Sequence, residues 1–570
     1  MHTTDYLQFA IYAAIILATT QPLGRYMAAV FSGEKTVLTT VLRPVERLVY
    51  LACGVDEAAE QGWKKYAGNL LLFSLSGTVL TYAILRLQAL LPLNPQALPA
   101  VAPDLAMNTA VSFSTHTNWQ AYSGENTLSY LSQMMTLAVS NFLAAAIGLS
   151  VAVALTRGLA RKSVKTIGNF YVDLTRAILY LLLPIAIVSA LILVWQGVPQ
   201  TLGGPVEAQT VEGAKQAIAL GPIASQEAIK LVGSNGGGFF NTNSAHPFEN
   251  PTPLSNFFED LLMFLIPAAM VDTFGRMIGK RKQAYAIYGA MGIMFVFGLT
   301  ACYFAEISPN PALTQIAGYS AAQGNMEGKE VRFGTADSVL WAVTATDTSA
   351  GASNAMQDSF MPLGGMIPLF NILLGCVIFG GVGSGLYGIL LHVFLAVFIA
   401  GLMVGRTPEY VGKKIESREI KLAIFGLLAT TVGTLILSSI AAITPLGIAA
   451  LGNDGPHGLS EILYAFASSD ANNGSAFAGL SDDNVFYNVA LAATMLIGRF
   501  IVIIPILAIA GSFAGKKTVP PSYGAFPTDT GLFVALLIGT VVIIAGLTFF
   551  PALALGPIVE HYALKAGDRF

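Results

Sequence analysis

The sequence predicts an all-α polytopic membrane protein of about ten transmembrane helices, with a fourfold repeat of re-entrant loops around one axis. Three observations predict it. Only 11% of the 570 residues are charged, against roughly 25% in a typical soluble domain. Hydrophobic residues make up 54%, and mean hydropathy is +0.64. Four long loops carry similar short apolar stretches at similar spacing. A soluble chain of this length would need far more charge to cover several domains. The composition therefore excludes a soluble enzyme, a disordered regulator and a fibrous protein. Cys53, Cys302 and Cys376 lie far apart and form no CxxC, so they frame neither a metal site nor a disulfide scaffold.

A span needs about 20 mostly apolar residues. Ten segments qualify: Tyr6–Val30, Ala67–Leu91, Leu128–Thr156, Val172–Gln196, Phe257–Gly279, Ala284–Ala305, Met366–Val404, Ile420–Ile443, Val485–Phe513 and Gly531–Leu555. The first lacks a basic n-region and reads as a retained helix. The seventh is too long for one simple span. Short cytoplasmic loops carry excess Lys and Arg. The loops after the odd-numbered spans hold 20 such residues, and the alternate loops hold four: Lys215, Lys230, Lys329 and Arg332. The odd-to-even loops are thus assigned to the cytoplasm, and both termini are expected outside.

The outer loops contain four related stretches, Ala106–Gly124, Glu227–Asn243, Asp337–Asn354 and Glu461–Ala476. Each reads as a half-helix too short to cross a bilayer, followed by Thr, Ser, Asn and Gly. Irregular backbone at membrane depth must be buried in protein or line a wet cavity. Four half-helices dipping in from outside would turn their negative C-terminal ends to one axis. The extended strands beyond them offer carbonyls that can replace a cation's hydration shell. Glycine allows the turns this requires. No fixed charge is needed, which suits a monovalent ion that must also leave. The repeat divides the chain into residues 1–60 (an extra first helix and cytoplasmic loop), repeats at 61–165, 166–282, 283–415 and 416–517, and residues 518–570 (an extra last helix and outer tail).

Several stretches resemble the potassium transporter superfamily of the Trk, Ktr, HKT and Kdp proteins. They are Thr117–Gln120 with Tyr122–Glu125, Asn235–Pro251, Phe379–Gly388, Gly405–Lys414 and Asn472–Phe477. The match is closest to the KdpA family, the potassium-binding subunits of a bacterial ATP-driven pump. The resemblance implies a selectivity filter of His116, Thr117 and Asn118; Ser234, Asn235 and Gly236; Ser349, Ala350 and Gly351; and Asn472, Asn473 and Gly474. Its backbone carbonyls would hold potassium. Asn is usual at 116, Thr at 234 and Cys at 350, so this chain departs at three positions. His116 is expected to be neutral or turned away from the ion. The long seventh segment resembles the family's broken helix, interrupted beneath the filter. Gate or tunnel candidates are Cys376, Gly380, Gly381, Gly383, Ser384 and Gly385, with Arg406 and Arg499. A Glu is common in the family near Cys376.

The resemblance also implies partners: the P-type ATPase subunit KdpB, with KdpC and KdpF, in a bacterial inner membrane. The chain has no Walker A motif and no phosphorylatable DKTGT. It is read as non-catalytic, with potassium as substrate, ATP used by the partner, no organic cofactor, lipid around it and no nucleic acid. The rival reading is a Trk- or Ktr-like channel or symporter subunit without an ATPase. A proton-coupled carrier is disfavoured because the spans read as nearly free of Asp and Glu. GSGLYG at Gly383–Gly388 fits GxGxxG but lies inside an apolar span, which excludes a dinucleotide fold. Asp347 and Asp470 are read as mouth charges that could concentrate cations. His392 reads as a packing residue, and Arg176 as one that snorkels to the cytoplasmic face.

Overall fold

The computed structural model describes residues 3–314, 324–518 and 526–568. Among them, ten helices are long and apolar enough to cross a membrane: Thr3–Ser32, Trp63–Leu90, Tyr130–Ala160, Phe170–Gln196, Pro253–Met277, Arg281–Glu306, Ser384–Met403, Ser417–Ile443, Val485–Gly515 and Gly531–Ala566. They follow the predicted segments in order. Their ends obey local capping chemistry. Thr252 and Ser255 form a capping box ahead of Pro253 at the start of the fifth span. Gly197 closes the fourth with a left-handed φ of 106°. The tenth bends at Gly556, whose φ and ψ are −90° and −107°, next to Pro557.

Burial separates centre from periphery. In the third span 83% of the apolar window is buried, against 22% in the first and second. The third span packs along the ninth, and the first along the fifth. The outer helices turn Leu, Ile and Val outward, which in water would be a liability and in lipid is the favourable surface.

The predicted seventh segment is two helices, Pro362–Leu373 and Ser384–Met403. The break at 374–383 has a cause in the sequence. Gly375, Gly380 and Gly383 take φ of 83°, 65° and 92°, and Cys376 and Phe379 take 48° and 61°. Helix cannot pass through such a run. Two small hairpins qualify the all-helical expectation: Val206–Gln209 with Lys215–Ile218, and Glu409–Tyr410 with Lys413–Lys414.

Four connections between spans hold short helices, Pro103–Ser114, Ile223–Val232, Gly334–Asp347 and Gly455–Asp470. The longest has 16 residues and would span about 24 Å, short of the ~30 Å hydrocarbon core.

The expectation of spans nearly free of acids needs correction. Glu259, Asp260 and Asp272 lie in the fifth span and are all buried. Asp272 pairs with Arg276 at 2.5 Å. Asp173 in the fourth span pairs with Arg157 at 2.6 Å, and Glu419 in the eighth with Lys516 at 2.7 Å. The acids are kept from lipid rather than absent, because hydropathy averages hide a buried charge among twenty apolar neighbours. Arg176 is likewise held, by Glu46 at 3.1 Å.

Candidate functional site

The four short helices end in the same way. In each, the second residue past the helix has a left-handed backbone: His116 (φ 72°), Ser234 (48°), Ser349 (55°) and Asn472 (52°). In each, the next N–H bonds back five residues: Thr117 to Ser112 O, Asn235 to Lys230 O, Ala350 to Ala345 O and Asn473 to Ser468 O, at 2.8–3.0 Å. This is a Schellman-type end, repeated four times. It turns the chain sharply at the negative pole of each helix.

The turned segments meet in a closed ring. Gly236 N donates to Asn118 Oδ1 at 3.2 Å, joining the first segment to the second. A Cβ built on Gly351 would lie 2.8 Å from Gly236 Cα, so the second and third touch backbone to backbone. Ser349 Oγ donates to Asn472 O at 3.2 Å, joining the third to the fourth. Asn472 Nδ2 donates to Thr117 Oγ1 at 3.0 Å, closing the fourth on the first. A Cβ on Gly474 would collide with Thr117 O. All twelve predicted residues lie in these segments, and every one is buried.

The polar side chains brace the ring. Asn141, which the sequence reading missed, accepts from Asn118 Nδ2 at 2.7 Å through Oδ1 and from Asn235 Nδ2 at 3.1 Å through its backbone O. Asn473 Nδ2 donates to Ala345 O at 3.2 Å. Gln120, also missed as a site residue, bridges the strand beyond the second segment, accepting from Gly238 N at 2.9 Å.

A buried ion cluster stands behind that second strand. Lys230 Nζ lies 2.7 Å from Glu227 and 3.1 Å from Glu249, and also donates to Asn243 and Ser244. Glu249 Oε1 in turn accepts from Phe240 N at 2.8 Å. Lys230 is 0% exposed, so the outer-loop cation of the sequence tally is an internal brace. Its signal was the Glu227–Lys230 pair, three residues apart on one helix face.

The break at 374–383 lies against the ends of these helices. Gly380 N donates to Asp347 O at 3.1 Å. A Cβ on Gly381 would lie 3.3 Å from His116 Nε2, 3.4 Å from Ser349 Cβ and 2.7 Å from Ser384 Oγ. Cys376 Sγ is 3.8 Å from Asn473 Nδ2. Gly383 packs on Gly148 of the third span, and Gly385 on Phe379. Arg499 sits in a π-helical turn, Ile497–Ile501, is 3% exposed, and donates to Ala144 O at 2.9 Å. Arg406 does not join this group. It follows the 20-residue helix Ser384–Met403, about 30 Å of helix from the break, and is exposed.

Asp347 and Asp470 correct a second expectation. Both are 1% exposed and end the third and fourth short helices. Neither is therefore a solvated mouth charge. Asp470 Oδ2 accepts from Thr434 N at 2.8 Å. His392 is buried, with Nδ1 3.2 Å from Gly388 O.

Residues 10–562 match the family described as the potassium-transporting ATPase A subunit, KdpA. The potassium-transporting ATPase potassium-binding subunit of Methylobacterium nodulans is 59% identical over 570 residues, covering 100% of this chain and 99% of that one. That of Rhodopseudomonas palustris is 59% identical over 563 residues, 99% of each chain. That of Bradyrhizobium diazoefficiens is 56% identical over the whole of both. Among solved structures, the potassium transporter TrkH from Vibrio parahaemolyticus is similar with a TM-score of 0.51 at 15% identity. It covers 90% of this chain and 100% of that one, a likeness of fold alone.

Proposed function

This chain belongs to the potassium-transporting ATPase A subunit family, and on that premise we propose that its ring of four turned segments is a selectivity filter that captures potassium from outside the cell. The observation that carries this reading is the fourfold repetition of one helix end, each followed by backbone in contact with the next. Each helix C-terminus contributes roughly half a negative charge. Four of them favour a cation without binding it as a full carboxylate would. With the Asn and Ser side chains engaged in bracing, the backbone carbonyls are the available ligands. A stiff ring gives selectivity, because an ion of another size must strain the brace.

Beneath the filter, Cys376 and the glycines of the break form the gate, and Arg499 presents a cation that discourages straight passage. The ion is handed sideways to the P-type ATPase subunit KdpB, in an inner-membrane complex with KdpC and KdpF. ATP hydrolysis belongs to that partner. His116, Ser234 and Ala350 alter the fit of the ring without removing carbonyls from it.

The test is Gly236→Asp. A side chain there meets Gly351, and its carboxylate would place a full charge in the ring. Potassium-stimulated ATPase activity of the purified complex should lose micromolar response. Unchanged potassium affinity removes the filter from this loop. Passive potassium flux from the chain in liposomes, with no co-purifying ATPase, would favour the Trk-like alternative.

A further inference from the structure

On the outer side, far from the ring along the fourth short helix, lies a cluster that the transport reading does not use. His457 and Glu461 are four residues apart near the start of Gly455–Asp470, so they share one face of the helix. Asp358 reaches them from the short turn Gln357–Ser359 that precedes Pro362–Leu373. Glu560 reaches them from the last helix. His457 Nε2 is 2.8 Å from Asp358 Oδ1, and His457 Nδ1 is 2.8 Å from Glu560 Oε1. One ligand atom each from Asp358, His457 and Glu461 falls within 4.8 Å of the others.

Two features point to a ligand. Glu461 is 1% exposed and its Oε1 has no hydrogen-bond partner among the described residues. That atom is aimed at Asp358: a Cβ on Gly479 would meet Glu461 Oε1 and Asp358 Oδ1 together. A buried, unpartnered carboxylate oxygen is costly unless something occupies its lone pairs. Moreover, three carboxylates surround one imidazole, and among the described residues no Lys or Arg pairs with any of them. Even an imidazolium leaves the cluster net negative.

We propose that Asp358, His457 and Glu461 bind a divalent transition-metal cation of the zinc class. Nitrogen and carboxylate ligands in this number suit zinc with an open fourth position. Glu560 plays the supporting part usual at such sites: it accepts from Nδ1–H, fixing the tautomer that presents the Nε2 lone pair to the metal. There is a way in. A cavity of about 240 Å³ is lined by Asp358, His457 and Glu560, with Glu327 and Asp568 at its walls. The Asp358 and His457 side chains are 10% and 11% exposed. A bound cation would tie the third repeat, the fourth short helix and the last helix together at the outer face.

The purified complex, stripped with chelator, is titrated with zinc against a chromophoric competitor, and with cobalt followed by its visible absorption. One zinc per chain is expected. Glu461→Gln leaves the Asp358–His457–Glu560 bridge intact, so it should melt like the parent yet lose the zinc and the cobalt spectrum. His457→Ala should also lose both. Glu560→Gln should weaken binding about 10- to 100-fold. If the parent binds no more zinc than His457→Ala, or if Glu461→Gln binds as the parent does, the cluster is only a pair of salt bridges and the proposal falls.

Discussion

Gly351→Ala tests the ring by geometry alone, because it adds one methyl and no charge. The new Cβ would lie 2.8 Å from Asn473 O, 2.8 Å from Gly236 Cα and 2.9 Å from Gly474 C. All three are backbone atoms of neighbouring segments, so none can rotate away as a side chain would. Relief to an ordinary 3.4 Å contact requires the neighbours to retreat by about 0.6 Å, in packing that has no slack. Overpacking of this kind costs about 1–3 kcal/mol. Where that strain falls on the ion-binding geometry, it weakens potassium about 5- to 150-fold, at 1.4 kcal/mol per tenfold. Discrimination against sodium should weaken with it, since the ring is opened rather than recharged.

The assay is potassium-stimulated ATPase activity of the purified complex, repeated with sodium as competitor. Gly546→Ala is the control: nothing lies within 4 Å of a Cβ there, and it should behave as the parent. If Gly351→Ala keeps potassium affinity within about twofold and the parent's selectivity, the four segments are not the ion site, however closely they meet.

Lys230→Met should destabilise the chain by about 3–5 kcal/mol, since it leaves Glu227 and Glu249 as uncompensated buried charge. The melting temperature should fall, and Lys230→Met with Glu227→Gln should recover part of the loss. Arg499→Gln should leave the melting temperature near that of the parent but raise passive potassium leak through reconstituted chain; no leak would mean Arg499 only braces Ala144. Burial opposes ionisation of Glu46, but hydrogen bonds from Arg43, Tyr50, Tyr180 and Arg176 outweigh it and hold the carboxyl down at about 2. Its depressed value stabilises the helix Thr39–Cys53 above about pH 4.5, and that contribution is lost as pH falls toward 2. Glu46→Gln should therefore speed hydrogen exchange in residues 39–53 at pH 7, and make little difference near pH 2.

Much of this architecture is legible in the sequence because membranes punish exceptions. The ten spans follow from apolar length, since an unpaired backbone cannot face lipid. The broken seventh span is legible from Gly380, Gly381, Gly383 and Gly385, which no straight helix would cluster. What the sequence hides is how the short helices end. A left-handed turn normally announces itself as glycine. Here His116, Ser234, Ser349 and Asn472 take it instead, and each is held there by the N–H that follows. The repeat is therefore one of backbone conformation, carried by three kinds of side chain at four positions.

That difference bears on which side chains the ring can tolerate at positions 116, 234 and 350. If side chains were the ligands, His116, Ser234 and Ala350 would each change the chemistry offered to the ion. In a ring made by turns, they change only what stands behind it. Ala350 adds no polar group, and its neighbour Ser349 already reaches across to Asn472 O. Ser234 Oγ is turned outward to Met263 O at 2.7 Å. His116 lies against Gly381 of the break and hydrogen-bonds the backbone of Ser234 in the second segment, so it braces the ring from behind. A side chain turned from the ring, as that of Ser234 is, can change without moving a neighbouring segment. The glycines at 236, 351 and 474, where segment meets segment, have no such freedom.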